Sequence, residues 1–318
     1  MPVITRQLPY VSIVIPTRNR ASMLRVCLES LLEQQYPADS YEIIVVADGT
    51  TDDTAEVVAA VAATVDGPPL SFFDNERRGA NAARNTGVFA ARGDPVCFLD
   101  DDADVPPEWL ATMAAGFLRY PDADAFAGRI RLRIESRRRR DCTRHAVATV
   151  LELGEGHKPL PVAVAANMAI RRRALARVGV FDEWSLVGGD DTEWFNRAQP
   201  FGIRTMYLGD AWVWHRRTDA DVRLFRLVRS FFRRGVSSHR MFIRIGRRDA
   251  GKQARRQVPR LLREAVRERC VGALAGAALQ TGFWWGLFRN RHLQPPPERP
   301  YVASSSSDAG TSMPPRSR

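Results

Sequence analysis

Over the first hundred positions, apolar residues come in short unbroken blocks, each followed by a polar cluster and then by a stretch at helical spacing. "VSIVIPTRNR" (Val11–Arg20) reads as a buried strand that stops at Pro16, and "MLRVCLESLLEQQ" then lays its apolar residues along one helical face. "YEIIVVADGTTDDTAEVVAAVAATV" repeats the formula, with Asp52 or Thr54 placed to cap its helix. "LSFFDNERRGANAARNTGVFAARGD" predicts a short strand, a loop holding Gly79 and a helix around Ala82–Ala91, and "PVCFLD" is the next strand. Strands this continuously apolar, alternating with helices, predict a parallel, doubly wound α/β sheet. Ligands of such sheets sit beyond the carboxyl ends of the strands. Thr17–Asn19, Asp48–Asp52 and Asp100–Asp102 all fall at those ends.

After Asp104 the pattern is mixed. "ADAFAGRIRLRI" alternates as a strand does, "RRRRD" (Arg137–Asp141) reads as a charged loop, and "VAVAANMAIRRRALARVGVFDE" as a strand and a short helix. "GGDDTEWFNRAQPFG" opens on a glycine turn and continues as a helix from about Thr192 to Gln199, and "TMYLGDAWVWHRR" is a last strand ending at His215. Two basic helices follow, an amphipathic one in "VRLFRLVRSFFRRG" (Val222–Gly235) and one in "QVPRLLREAVRER". They lead into "CVGALAGAALQTGFWWGLF" (Cys270–Phe288), 19 residues without a charge and with two G-x-x-x-G spacings, Gly272/Gly276 and Gly282/Gly286. The organisation expected is a catalytic α/β unit over 1–218, divided near residue 105, a basic helical region over 219–292, and a disordered Pro/Ser-rich tail over 293–318.

Charge sharpens that division. The 318-residue chain carries a net charge of +11, but Arg216–Arg291 holds 20 basic against 5 acidic residues, and the first 215 positions hold 24 against 29. The basic region admits two readings: helices lying on an anionic membrane, or helices packed on the catalytic unit with a solvated arginine face. A nucleic-acid binder is disfavoured, because none of the modules that would give such charge a purpose is present. The four cysteines are scattered, with no C-x-x-C, and the first ten residues lack a signal-peptide pattern. A cytoplasmic location, extending to the cytoplasmic face of the membrane, is the expectation.

The chemistry concentrates in "CFLDDDADV" (Cys97–Val105), an apolar strand running into four aspartates. Carboxylates so crowded repel one another unless a cation joins them, and an Asp-x-Asp at a strand end suits a hard divalent ion held by oxygen ligands. Alone, the motif is weak, since aspartates are common in polar loops.

Its context is more specific. Five segments in order resemble family 2 glycosyltransferases: "VSIVIPTRNR", "EIIVVADGTTDDT", "GANAARNTGVFAARGDPVCFLDDDADVPPEWL", "NMAIRRRALARVGVFDE" and "GGDDTEWFNRAQPFGIRTMYLGDAWVWHRR". The resemblance runs from Val11 to about Arg216 and implies a GT-A fold, with a mixed, mostly parallel central sheet. It implies an inverting sugar transfer from a nucleotide-sugar to an acceptor hydroxyl, on a glycan, a lipid-linked molecule or a small molecule. It places Pro16, Thr17, Asn19, Asp48, Arg84 and Asp100 around the donor nucleotide, and Asp102, with His215, on a divalent cation, Mn²⁺ or Mg²⁺. Asp191 is implied as the general base, with Asp190 and Trp194 on the acceptor side. Asp101 and Asp104 match no role and are expected to face solvent. Two positions keep a second reading: Arg84 as a helix-surface arginine, and His215 as a packed core residue beside two tryptophans. The sequence departs from the family at Ala47, where an acidic residue is usual, which leaves the nucleotide base unassigned and keeps a non-catalytic relative as the alternative.

Overall fold

The computed structural model describes residues 8–64, 66–75, 79–135, 149–184, 190–218, 221, 223–244, 250–267 and 271–289. The arginine run at 137–141, the glycine turn at 188–189 and the tail at 293–318 lie outside the described residues.

Strands β1 (Val11–Thr17), β2 (Tyr41–Ala47), β3 (Leu70–Asp74) and β4 (Val96–Leu99) run parallel in the order β3-β2-β1-β4. Helices α1 (Ala21–Leu32), α2 (Thr54–Ala62) and α3 (Ala80–Ala90) connect them. Every residue of β2 and β4 is buried, the condition that unbroken apolar strands require. Side chains alternate between two cores. Ile13, Ile15, Ile43 and Val45 meet Leu24 and Leu28 of α1, while Val14, Ile44 and Val46 meet Ala83 and Val88 of α3 on the opposite face.

The second half of the sheet changes direction. β8 (Asn167–Ile170) is antiparallel to β4, β6 (Ala125–Glu135) antiparallel to β8, and β9 (Thr205–Thr218) parallel to β6. The early part of β9 carries β7 (His157–Leu160), and its later part carries the two-residue β5 (Ala103–Asp104), both antiparallel. α4 (Trp109–Arg119), α5 (Arg172–Val178) and α6 (Asp190–Ala198) complete this unit. Two expectations are corrected. β9 continues past His215 to Thr218, held by pairing with β6 as far as Glu135. Neither Asp52 nor Thr54 caps α2, whose N-cap is Asp53 without a side-chain bond; Asp52 serves the start of α1, where its Oδ2 accepts the Ala21 N–H at 3.1 Å, and its Oδ1 accepts the Thr54 hydroxyl.

The basic region forms three helices, α7 (Leu224–Arg244), α8 (Ala250–Arg267) and α9 (Val271–Arg289). α9, without a charge before Arg289, lies against both of the others. At Gly235 of α7 an added Cβ would collide with the Leu279 carbonyl, and at Gly282 of α9 with the Phe232 carbonyl, so these helices meet backbone to backbone. Gly276 faces the Leu261 side chain of α8 at ordinary contact distance. Among the described residues, no helix is long and apolar enough to cross a membrane.

Candidate active site

The buried run of β4 ends at Leu99 and delivers Asp100, Asp101 and Asp102 to the mouth of the sheet, while β9 sets His215 in register with Ala103. One ligand atom each from Asp100, Asp102 and His215 lie within 4.8 Å of one another. Asp102 and His215 are both 1% exposed, and Asp100 is half-buried. The Nδ1–H of His215 donates to the Thr149 carbonyl at 2.9 Å. Nε2 lies 2.8 Å from Nη2 of Arg217. A guanidinium only donates, so Nε2 carries the lone pair. That lone pair stands 2.9 Å from Oδ1 of Asp102, a buried oxygen without a hydrogen-bond partner. Two electron-rich atoms face each other here, with Asp100 beside them. Nitrogen and carboxylate donors of this kind, the imidazole oriented from behind by a carbonyl, fit a divalent cation.

The other oxygen of Asp102 is fully engaged: Oδ2 accepts Arg20 Nη1 at 2.6 Å and also Arg217 Nη1. Burial opposes its charge, but the Arg217 and Arg20 guanidiniums outweigh that and hold the carboxyl well below the usual range. Asp101, expected in solvent, is buried. Its Oδ1 accepts Arg20 at 2.8 Å and its Oδ2 accepts the Thr17 hydroxyl at 2.9 Å. Burial and the adjacent Asp102 charge push its carboxyl up, against the pull of Arg20 and Thr17. Asp104 is half-buried and paired with Arg133 at 2.6 Å. Beneath them, burial and the aspartates push the Cys27 thiol far up, so it stays protonated and inert.

The residues expected around the nucleotide sit at neighbouring strand ends. Asp48 Oδ1 accepts the Gly79 N–H at 2.7 Å, and the Asp48 N–H donates to the Thr17 carbonyl at 2.8 Å, which ties β1 and β2 to the start of α3. Gly79 makes that approach at φ 113°, a conformation that excludes most side chains. Ala47 is buried in β2, so Asp48 is the first acidic side chain at that strand end. Pro16 pairs with Val46 inside the sheet. Asn19, at φ 52°, accepts the Thr51 N–H at 2.7 Å. Arg84 is buried rather than on the helix surface, with Nη2 3.6 Å from Asp100 Oδ1 and Nη1 donating to Asn81 at 3.1 Å. It therefore joins the aspartate cluster.

On the acceptor half, Asp191 lies half-buried in the first turn of α6. Its Oδ1 accepts the Thr192 N–H at 2.8 Å and its Oδ2 the Ala165 N–H at 3.3 Å. The side chain of Asp190 lies outside the described residues. Trp194, expected on the acceptor side, is fully buried: its indole donates to the Gly179 carbonyl at 2.8 Å and its ring packs on Phe195 and Phe181. It is a core residue, with no face left for an acceptor.

Sequence reasoning missed Arg20 and Arg217. The signal for Arg217 was alternation along β9: Val213, His215 and Arg217 are buried on one face, and Trp212 and Trp214 stack with Arg131 on the other. His215 is thereby separated from the tryptophans that suggested core packing.

Residues 12–179 match Glycosyl transferase family 2. Glycosyltransferase AglE of Haloferax volcanii is 28% identical over 206 residues, 65% of this chain and 66% of that protein. The GalNAc(5)-diNAcBac-PP-undecaprenol beta-1,3-glucosyltransferase of Campylobacter jejuni is 33% identical over 106 residues, 33% of this chain and 34% of that protein. The chain matches about two thirds or less of the length of these relatives. Among solved structures, the mannosyltransferase PcManGT of Pyrobaculum calidifontis, in complex with GDP-Man and Mn²⁺, superposes with a TM-score of 0.56 at 23% identity, covering 90% of this chain and 76% of that one. TarS 1–349 of S. aureus, in complex with UDP, gives 0.52 at 18% identity, covering 89% and 92%. With the family's pattern spanning more than half its length, the chain belongs to glycosyl transferase family 2 and has the GT-A fold.

Proposed function

We propose that the chain is a metal-dependent, inverting glycosyltransferase that moves a sugar from a nucleoside-diphosphate donor to an acceptor hydroxyl. The observation that carries this is the facing pair of His215 Nε2 and Asp102 Oδ1, with Asp100 beside them, at the carboxyl end of β4. Asp100, Asp102 and His215 would hold Mn²⁺ or Mg²⁺, which when bound neutralises the diphosphate that leaves the sugar. Arg84, beside Asp100, binds a donor phosphate, and Asp48, at the end of β2, holds the nucleoside. Asp191 accepts the proton of the acceptor hydroxyl as that oxygen bonds to the anomeric carbon. The bond from that carbon to the diphosphate breaks in the same displacement, so the configuration inverts and no covalent sugar–enzyme bond forms.

The Campylobacter jejuni relative, named for a lipid-linked acceptor, supports an acceptor of that class; cell-envelope or glycolipid synthesis at the cytoplasmic face is the setting we infer. Peripheral contact with an anionic membrane would suit this region, in which Phe225 of α7 and Trp284 and Trp285 of α9 are exposed. The test is a donor panel of UDP-, GDP-, dTDP- and ADP-sugars with Mn²⁺ or Mg²⁺, scored for binding and slow hydrolysis. Metal-dependent binding of one donor, lost in Asp102→Ala, is the expected result. Failure of every donor to bind would leave a relative that has lost catalysis.

A further inference from the structure

A cavity of about 370 Å³ lies between α7 and the arginine side of the aspartate cluster, within the roughly 300–1,000 Å³ typical of ligand sites. Arg20, Arg217, Arg226, Arg229, Arg233 and Arg234 line it, against the single carboxylate of Asp221. Arg20 and Arg217 are the two side chains that grip Oδ2 of Asp102, so the cavity opens on the edge of that carboxylate turned away from the unpartnered Oδ1. Arg226, Arg229 and Arg233 recur at helical spacing on α7, and none of the three is paired with a carboxylate among the described residues. Like charges at such spacings oppose helix formation. The apolar side of the same helix is used elsewhere, on α9. Leu227 and Phe231 give the cavity an apolar wall.

We propose that this cavity is a second anion site, distinct from the donor's, and that it binds the phosphate or diphosphate group of an acceptor. Guanidinium groups converging from the start of α1, from β9 and from α7 match phosphate oxygens in charge and in the geometry of their paired donors. Through Arg20 and Arg217 the cavity adjoins Asp102, so an acceptor held there by its charge would lie beside the metal cluster. The proposal rests on the transferase reading for the word acceptor, but not for the anion site itself.

The test uses the full chain and inorganic pyrophosphate as probe, titrated calorimetrically in EDTA, so that no metal-bound nucleotide contributes. Wild type is expected to bind, and Arg229→Ala/Arg233→Ala, which removes two exposed side chains, to bind at least about tenfold more weakly. No binding by wild type, or equal affinity in the variant, would overturn the proposal. A second arm measures UDP and GDP with Mn²⁺: the variant is expected to match wild type, and a loss as large as that for pyrophosphate would return the arginines to the donor site and overturn the proposal. A third arm uses phosphatidylglycerol vesicles. Loss of vesicle binding in the variant with pyrophosphate affinity unchanged would also overturn it, by assigning the arginines to a membrane surface. If wild type bound neither nucleotide, the transferase reading would fall while the pyrophosphate arm still decided the anion site.

Discussion

Nε2 of His215 and Oδ1 of Asp102 face each other at 2.9 Å with no proton between them, because Nδ1 of the same ring donates to Thr149 and Arg217 donates to Nε2. Buried electron-rich atoms in that relationship are stable only next to positive charge. Mn²⁺ titration followed by electron paramagnetic resonance should show saturable binding to wild type. His215→Ala and Asp102→Ala should each weaken it at least about tenfold, as losses around metal sites do. Wild-type affinity in both variants would remove the cluster as a metal site.

Asp191 is held at the start of α6 by the N–H groups of Thr192 and Ala165, which fix its orientation without burying it. Asp191→Asn keeps the size of the side chain and one acceptor oxygen, for the shorter bond from Thr192, but loses the second acceptor and the basicity. Turnover should fall about 10²–10⁴-fold, the usual contribution of a positioned base, with the donor dissociation constant unchanged. Steady-state rates alongside direct donor binding separate the two. A loss of binding equal to the loss of rate would make Asp191 a donor ligand instead.

The parallel half of the fold was legible because its strands are buried on both faces and so are apolar without interruption, as in Ile43–Val46. That Asp102 and His215 come together was legible from the family's motifs, whereas the burial of Arg84 was not marked in its helix. What could not be read is what depends on long-range contact. The partners of Asp101, Thr17 and Arg20, lie more than eighty positions away in sequence, so nothing local marked that aspartate as buried. Trp194 sits beside a charged stretch of helix, yet its burial is decided by Gly179 and Phe181. The arginine cavity needed the docking of α7 beside Asp102, which amphipathic spacing alone does not determine.

Thr17 shows how the missed network stabilises the site. Its hydroxyl donates to Asp101 Oδ2 at 2.9 Å in a buried setting. Thr17→Val keeps the shape and leaves that carboxylate oxygen unsatisfied, which should cost about 1–3 kcal/mol. Urea denaturation should show this loss, and Thr17→Ser should recover most of it. An unchanged midpoint in the valine variant would mean that water replaces the hydroxyl.

Asp52 gives a pH test away from the metal cluster. Slight burial raises its pKa, and hydrogen bonds from Thr54 and the Ala21 N–H outweigh this and lower it. A carboxyl lowered in the folded state stabilises it only while ionised. That contribution is present above the unfolded pKa of about 3.9 and fades as pH falls through the lower native value. Asp52→Ala should therefore destabilise at neutral pH, by about 0.5–1 kcal/mol given the exposed setting, with the gap to wild type closing in acid. Urea midpoints at neutral and acid pH measure it. A gap that widened in acid would contradict the assigned bonds.

Gly235 and Gly282 provide the sharpest test of how α9 is used. A methyl group at either position would meet a carbonyl of the facing helix, and backbone cannot yield as a side chain can. Gly235→Ala and Gly282→Ala should each cost about 1–3 kcal/mol through forced separation of α7 and α9. Gly276 is the internal control. Its Cβ would sit 3.5 Å from Leu261, an ordinary contact, so Gly276→Ala should be neutral or stabilising by up to about 1 kcal/mol through helix propensity. Hydrogen exchange resolves where the loss falls: in the two clashing variants amides within 224–289 should open faster while those of the parallel sheet keep their protection. If Gly276→Ala were the damaging substitution and the other two were silent, α9 would be packing through its other small-residue face, and the seating of α7 beside the arginine cavity would have to be redrawn.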